Sequence, residues 1–270
     1  MASRLKVTLK PIVVARVATR EMADIILQAC VFAHVCPAIL AGYTLQYCYV
    51  IRANGNKLMR HYTLADKLIN HADQVLRTLT PNATAALRPN PANTHDTLTL
   101  TAEQQTEVAG LMRVNHSGEV CAQALYHGQA LTAKLPTVRE EMQQAALEEQ
   151  DHLAWCEDRL HELNSKPSVL NPLWYGLSFG IGAAAGIAGD KWSLGFVVET
   201  EKQVCSHLEE HLQRIPINDE RTHAILTQMH QDEDQHRQQA QDAGGAELPP
   251  PIKHLMGVIS KIMTKTSFYV

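Results

Sequence analysis

Glu-x-x-His puts a carboxylate and an imidazole one turn apart on one face of a helix, where both can hold the same metal ion. The 270-residue sequence contains this spacing three times, at Glu149–His152, Glu220–His223 and Glu233–His236. With 17 Glu and 14 His in the chain, about one match is expected by chance, so the spacing alone decides nothing. Register decides more. Met142, Ala145, Glu149, His152, Cys156, Leu160 and Leu163 recur at threes and fours, as do Leu226, Met229, Glu233, His236 and Ala240. Two lone glutamates occupy the same kind of stripe. Glu119 falls among Val108, Met112, Asn115, Ala122 and Tyr126, and Glu201 among Leu194, Val198, Cys205, Leu208, Leu212 and Ile215. Glu220–His223 lies in a polar first turn with no stripe and serves as the decoy.

All six candidates, Glu119, Glu149, His152, Glu201, Glu233 and His236, thus fall on core positions of amphipathic helices. Burying four carboxylates together is prohibitively costly unless they are protonated or neutralised. Two divalent cations supply the four positive charges. Structural ion pairs would need Arg or Lys on the same stripes, and the stripes have none. Oxygen-rich ligation with one imidazole per metal and no thiolate suits iron or manganese rather than structural zinc. By symmetry Glu149 and Glu233 are expected to bridge the two ions. One imidazole per metal leaves positions open for oxygen.

The helices that must present these residues can be delimited from their ends. The first periodic segment starts near Tyr62 and stops at Thr80-Pro81, followed by a Pro- and Asn-rich connector over 81–100. Thr101 with Gln104 reads as a capping box opening a helix to about Ala133. Pro136 breaks the chain, and Thr137 with Glu140 reads as a second capping box for a helix to about Asn164. A loop over Lys166–Pro172 precedes an apolar, Gly-rich stretch to Gly189. Further helices are expected over Trp192–Arg214, from an Asn218 N-cap to about Ala243, and over Ile252–Ser267. No strand pattern competes, and no internal repeat beyond the doubled Glu-x-x-His is apparent. The fold class is all-α, a four-helix bundle with one apolar crossover and extra terminal helices.

Hydrophobic residues make up 45 % of the chain, enough for one bundle-sized core plus an extra segment. The net charge of −4 carries no basic block, which argues against a nucleic-acid partner. None of the six cysteines forms a Cys-x-x-Cys pair, so neither a zinc knuckle nor a disulfide framework is expected. Cys121, Cys156 and Cys205 read as small core residues in a reducing compartment. Residues 1–58 stand apart. A basic start (Arg4, Lys6, Lys10, Arg16, Arg20) leads into Ile25–Ile51, which has no charged residue but is interrupted by Gln28, His34, Pro37 and Gln46. Its length would allow a membrane span.

The run LMRVNHSGEVCAQALYHGQ around Glu119 resembles the Arg-x-(Asn/Asp)-His-x-Gly-Glu signature of the demethoxyubiquinone hydroxylase family. EEQDHLAWCEDRL, LWYGLSFGIGAAAGIAGDKWSLGFVVETE, QDEDQH and the ending IKHLMGVISKIMTKTSFYV follow in the family's order and separations, over about residues 59–270. The resemblance implies a ferritin-like di-iron monooxygenase of ubiquinone biosynthesis, with the six residues above as iron ligands. It implies that the ring of a polyprenylated demethoxyquinol is hydroxylated with O₂, at the cytoplasmic surface of the inner membrane, with room for other ubiquinone-biosynthesis proteins as partners. Two external electrons would come from a nicotinamide or from the quinol. Gly180-Ile-Gly182-Ala-Ala-Ala-Gly186 lacks the dinucleotide-binding spacing. The first 58 residues match nothing in the family, and Met59 could start translation, so they are expected to reflect an upstream start assignment.

Two further readings concern the membrane. Pro167–Gly189 is uncharged and sits at the crossover, which suits a hydrophobic hairpin or surface helix in the headgroup region; a bundle-packing helix is the alternative. Ile252, Leu255, Met256, Ile259, Ile262 and Met263 form an apolar face beside Lys253, Lys261 and Lys265, which suits anionic lipid. Around the ligands, Asn115 and His116 are expected to orient Glu119, Asp151 or Asp232 to brace an imidazole, and Gly118 to allow close approach. Tyr126 reads as either a channel or a core residue. A ferritin-type iron oxidase would share the ligands but not the uncharged crossover.

Overall fold

Helix ends follow the capping chemistry of the sequence in some places and depart from it in others. The computed structural model describes residues 64–83, 85–96 and 99–270. The boundary expected at Met59 and the uncharged Ile25–Ile51 stretch lie outside these residues. The described chain forms α1 (Leu64–Leu79), a 3₁₀ turn (Pro91–Thr94), α2 (Ala102–Thr132), α3 (Pro136–Glu162), α4 (Asn171–Ala188), α5 (Asp190–Arg214), α6 (Glu220–Asp242) and α7 (Pro250–Tyr269). No strand occurs among the described residues, as the all-α expectation requires.

The Thr101–Gln104 capping box is formed in both directions. The box expected at Thr137 and Glu140 is not. Pro136 itself opens α3 with no side-chain cap, and the Asp190 carboxylate accepts the free N–H groups of Lys134 and Leu135. Asp219, not Asn218, caps α6, because its carboxylate reaches the Thr222 amide.

Helices α2, α3, α5 and α6 are the four that carry the six candidates. α2 lies centrally, packed on α3, α4, α5 and α7, while α5 pairs with α6 and α6 also meets α3. That position explains why 20 of its 31 residues are buried, on every side rather than along one stripe. Along the bundle, one apolar cluster gathers Met112, Trp155, Cys156, Leu208 and Met229. A second gathers Tyr126, Met142, Leu194, Val197 and Ala240. The six candidates fall between these layers in sequence register on all four helices, so apolar packing closes the site above and below.

The crossover is one continuous helix, not a hairpin. α4 lies against α2 because both helices are small where they meet. A Cβ on Gly182 would come 2.2 Å from the Leu125 carbonyl oxygen, and one on Gly128 would come 2.3 Å from that of Phe179. Gly182→Ala is therefore expected to cost about 1–3 kcal/mol despite its better helix propensity. A thermal midpoint equal to wild type would show that the helices separate there freely. The other side of α4 is open, with Leu173, Leu177 and Ile187 exposed. No helix among the described residues is long and apolar enough to cross a membrane.

Candidate metal centre

His152 and His236 organise the cluster. Nδ1 of His152 lies 3.1 Å from Glu149, 3.0 Å from Glu233 and 3.6 Å from Glu119. Nδ1 of His236 lies 3.3 Å from Glu149 and 3.1 Å from Glu233. Glu149 and Glu233 thus face both imidazoles, while Glu119 faces only that of His152. Glu119, Glu149, His152 and Glu233 offer ligand atoms all within 4.8 Å of one another. Glu201 is fully buried beside this group, but its carboxylate accepts a hydrogen bond from the Tyr126 hydroxyl. The decoy behaves as one: Glu220 pairs with His95, not with His223.

Each imidazole turns its other nitrogen to an acid from the opposite Glu-x-x-His helix. His152 Nε2 meets Asp232 Oδ2 at 2.9 Å, and His236 Nε2 meets Glu148 Oε2 at 2.8 Å. An N–H donated to those acids leaves both Nδ1 lone pairs directed at the carboxylates, the tautomer a metal ligand needs. Asp232 was foreseeable as a brace. Glu148 was missed, although an acidic residue precedes the ligand glutamate in both motifs.

The Asn115 and His116 expectation is corrected. Asn115 accepts from His211 Nδ1 of α5 at 2.9 Å, and His116 Nδ1 accepts from Asn171 of α4 at 3.1 Å. Burial lowers both imidazoles to about 4, so they hydrogen-bond as neutral rings. Arg113 donates to the carbonyls of Lys166 and Phe268 and to Ser165. These polar residues before Glu119 therefore fasten α4, α5, the α3–α4 loop and the end of α7 to α2, and leave Glu119 untouched. Tyr126 is a core residue, fully buried, that touches the site through Glu201.

Arg88 was also missed, because it comes from the connector that reads as a plain loop. Its guanidinium bonds Asp151 at 2.6 Å and Asp232 at 2.9 Å and lies 4.9 Å over the Trp155 ring. Asp151 accepts the Leu87 and Arg88 amides rather than bracing an imidazole.

The donor set fits cations on its own geometry. Glu119 Oε2 and Glu149 Oε1 are buried and each faces only an imidazole Nδ1, at 3.6 and 3.3 Å, without hydrogen-bond geometry, which is costly unless a positive ion meets them. Otherwise protons must neutralise the cluster. Burial opposes charge on His152, but hydrogen bonds to Asp232, Glu119, Glu149 and Glu233 outweigh it and hold the ring well above its usual value. His236 is raised in the same way, burial being outweighed by Glu148, Glu149 and Glu233. Burial and then the charge of Glu149 push Glu119 well above the carboxylate range, and burial with Glu233 and Glu149 does the same to Glu201. Glu149 goes the other way, because bonds from both imidazoles overcome its burial.

A group raised in the folded state stabilises fully below its unfolded value, 4.5 for Glu and 6.5 for His, and that stability is lost as pH climbs through the folded value. Glu149 and the two bracing acids, Glu148 and Asp232, are held low by the imidazoles, and their contributions are the ones lost on acidification. Chelator-treated protein is therefore expected to melt at lower temperature from pH 6.5 upward, by about 1.4 kcal/mol per pH unit for each proton retained. Loading divalent ions should release protons, from the raised imidazoles and the raised carboxyl groups. Thermal melts from pH 6 to 9 and proton release in weak buffer check both; a midpoint rising with pH would contradict the assignment.

A cavity of about 270 Å³ reaches this cluster between α2, α4, α5 and α7. Gly118 and Glu119 form its inner wall, and a Cβ on Gly118 would meet nothing within 4 Å. Leu125, Leu177, Ile181, Leu255 and Ile259 make it apolar, with Gln203 and His207 as polar points. Leu177, Ile252 and Leu255 are lining residues that also stand exposed, so the cavity opens on an apolar surface.

Residues 106–267 match the family model of ubiquinone biosynthesis protein COQ7. The chain is 68 % identical over 212 residues to a 3-demethoxyubiquinol 3-hydroxylase of Acinetobacter baumannii, covering 78 % of this chain and 100 % of that protein. It is 67 % identical to the protein of that name from Acinetobacter baylyi, with the same coverage. With that of Pseudomonas putida it shares 56 % over 211 residues, 78 % of this chain and 98 % of the relative. The chain belongs to the COQ7 family of ubiquinone biosynthesis proteins.

Proposed function

We propose that the chain is a 3-demethoxyubiquinol 3-hydroxylase that holds two iron ions through Glu119, Glu149, His152, Glu201, Glu233 and His236. The observation that carries it is the apolar cavity ending at Glu119, one residue from a side-chain-free Gly118. A flat ring on a polyprenyl chain is the shape such a cavity admits, and the identity to proteins named for this reaction points the same way.

When bound, the irons supply O₂ activation; one oxygen atom replaces a ring hydrogen as hydroxyl, the other leaves as water, and two electrons come from outside. The chain's own contribution is positional. Glu149 and Glu233 face both imidazoles and would be shared by the two ions, Glu119 and Glu201 would each hold one, and Glu148 and Asp232 fix the imidazoles. The apolar clusters exclude water. Burial lowers His207, so a neutral imidazole and the Gln203 amide are available to hydrogen-bond the ring oxygens.

A lipid surface is the proposed place of work, because the mouth opens beside exposed Leu173, Leu177, Leu255 and Ile262. Lys261 and Lys265 are exposed on α7, whereas Lys253 is occupied by Glu247 at 3.1 Å. The functional domain is proposed to be 59–270, supported by the 212-residue span of the matches, the number from Met59 to Val270. Native peptides from before Met59 in mass spectrometry would count against the start at Met59.

Deleting the chromosomal copy and profiling the cell's quinones tests the activity. Accumulation of a quinone lacking one methoxy group, reversed by the wild-type chain, is expected. A normal quinone profile would overturn it.

A further inference from the structure

The two Glu-x-x-His motifs are parts of a longer repeat. Gln144-x-x-x-Glu148-Glu149-x-x-His152 and Gln228-x-x-x-Asp232-Glu233-x-x-His236 share nine positions of spacing. The structure gives the outer members matching jobs. Gln144 donates to Glu148 at 2.9 Å and Gln228 to Asp232 at 2.9 Å, and each acid then reaches across to the imidazole of the other helix. Helix by helix, the two halves of the centre are built alike.

Arg88 breaks that symmetry. It bonds Asp232, the brace of His152, and ties it to Asp151, whose side chain is 4 % exposed. Asp232 is 14 % exposed in consequence. His152 also packs on Trp155, with ring centroids 5.4 Å apart, and Arg88 covers the same indole. Among the described residues, the His236 half has no such clamp. Glu148 is 41 % exposed and has Gln144 as its other hydrogen-bond partner. Charge does not distinguish the halves: Asp151 and Asp232 with Arg88 sum to one negative charge, as does Glu148 alone. Rigidity does, since a ligand already held in its binding geometry loses less freedom when an ion arrives.

We propose that Arg88 is a positioning residue that makes the two ion positions unequal, so that the His152 position fills first and holds its ion more tightly than the His236 position. This rests on the di-metal reading of the site and adds an order of loading to it. The guanidinium acts on the imidazole through Asp232 and through its own Nη2, 3.4 Å from His152 Nε2.

The test is anaerobic titration of the metal-stripped full chain with Fe(II), followed by calorimetry and by metal analysis after dialysis. Wild type is expected to bind two ions in steps at least about ten-fold apart. Arg88→Gln should weaken the tighter step by about 10–100-fold, the range for removing a hydrogen-bonded support of a metal ligand, and leave the weaker step nearly unmoved. Glu148→Gln should do the reverse. Arg88→Lys, which keeps the charge without the fork, should fall between wild type and Arg88→Gln. Far-UV circular dichroism checks the fold of each, and Glu148→Gln decides the matter if Arg88→Gln does not fold. Two ions bound with Arg88→Gln leaving both steps unchanged, or Glu148→Gln weakening the tighter step, would overturn the inequality while sparing the di-metal site. Fewer than two ions at saturation in wild type would overturn both.

Discussion

Glu149→Ala is expected to abolish hydroxylation, by roughly 10³-fold or more, and to reduce bound metal from two ions per chain to less than one. Glu149 is fully buried and, like Glu233, faces both His152 and His236. On the proposed di-iron reading, its removal would take a ligand from each ion at once. It also leaves both imidazoles with one carboxylate fewer, so the stripped variant should be less stable by about 3–5 kcal/mol, as when one partner of a buried pair is deleted. Glu149→Gln keeps the volume and separates lost charge from lost packing. Metal analysis together with quinone profiles of the complemented deletion strain checks the result. A variant that retains two ions and restores the quinone would remove Glu149 from the ligand set.

Gly118→Leu should lower kcat/KM by about 100-fold, equivalent to about 2.7 kcal/mol, while leaving two ions in place. A leucine there projects into the space that the missing Cβ leaves open, beside Glu119 and at the inner end of the apolar cavity. Gly118→Ala is the control. Its methyl meets nothing within 4 Å, and alanine in a helix interior is favoured over glycine, so the variant should gain about 0.5–1 kcal/mol of stability and keep most of its activity. Equal activity in Gly118→Leu would show that the ring does not pass this point. Loss of metal in the same variant would show instead that the side chain disturbs Glu119.

These two residues differ in how they could be found. Glu149 was legible from periodicity, because a carboxylate repeating with Met142, Ala145 and Cys156 must be buried, and four such groups buried together need cations or protons to neutralise them. Gly118 was legible only as a glycine inside a helix. Which neighbour its missing side chain faced depended on how α4, α5 and α7 surround α2. Tyr126 was similarly undetermined until α5 placed Glu201 against its hydroxyl.

By itself the sequence determined the all-α class, the order of the four helices that carry the candidates, the burial of the six side chains proposed as ligands and the resemblance to a quinol-hydroxylating family. Each of these rests on local spacing, which an α-helix converts directly into a shared face. Tertiary structure alone decided the rest. Helix α4 became one continuous helix, because Gly128 and Gly182 let it lie directly on α2. Asn115 and His116 went to α5 and α4 rather than to Glu119. Glu148 and Asp232 crossed to opposite imidazoles, and Arg88 came from a segment with no periodicity. All of these are contacts between residues far apart in the chain, and helical periodicity specifies a face without specifying what meets it.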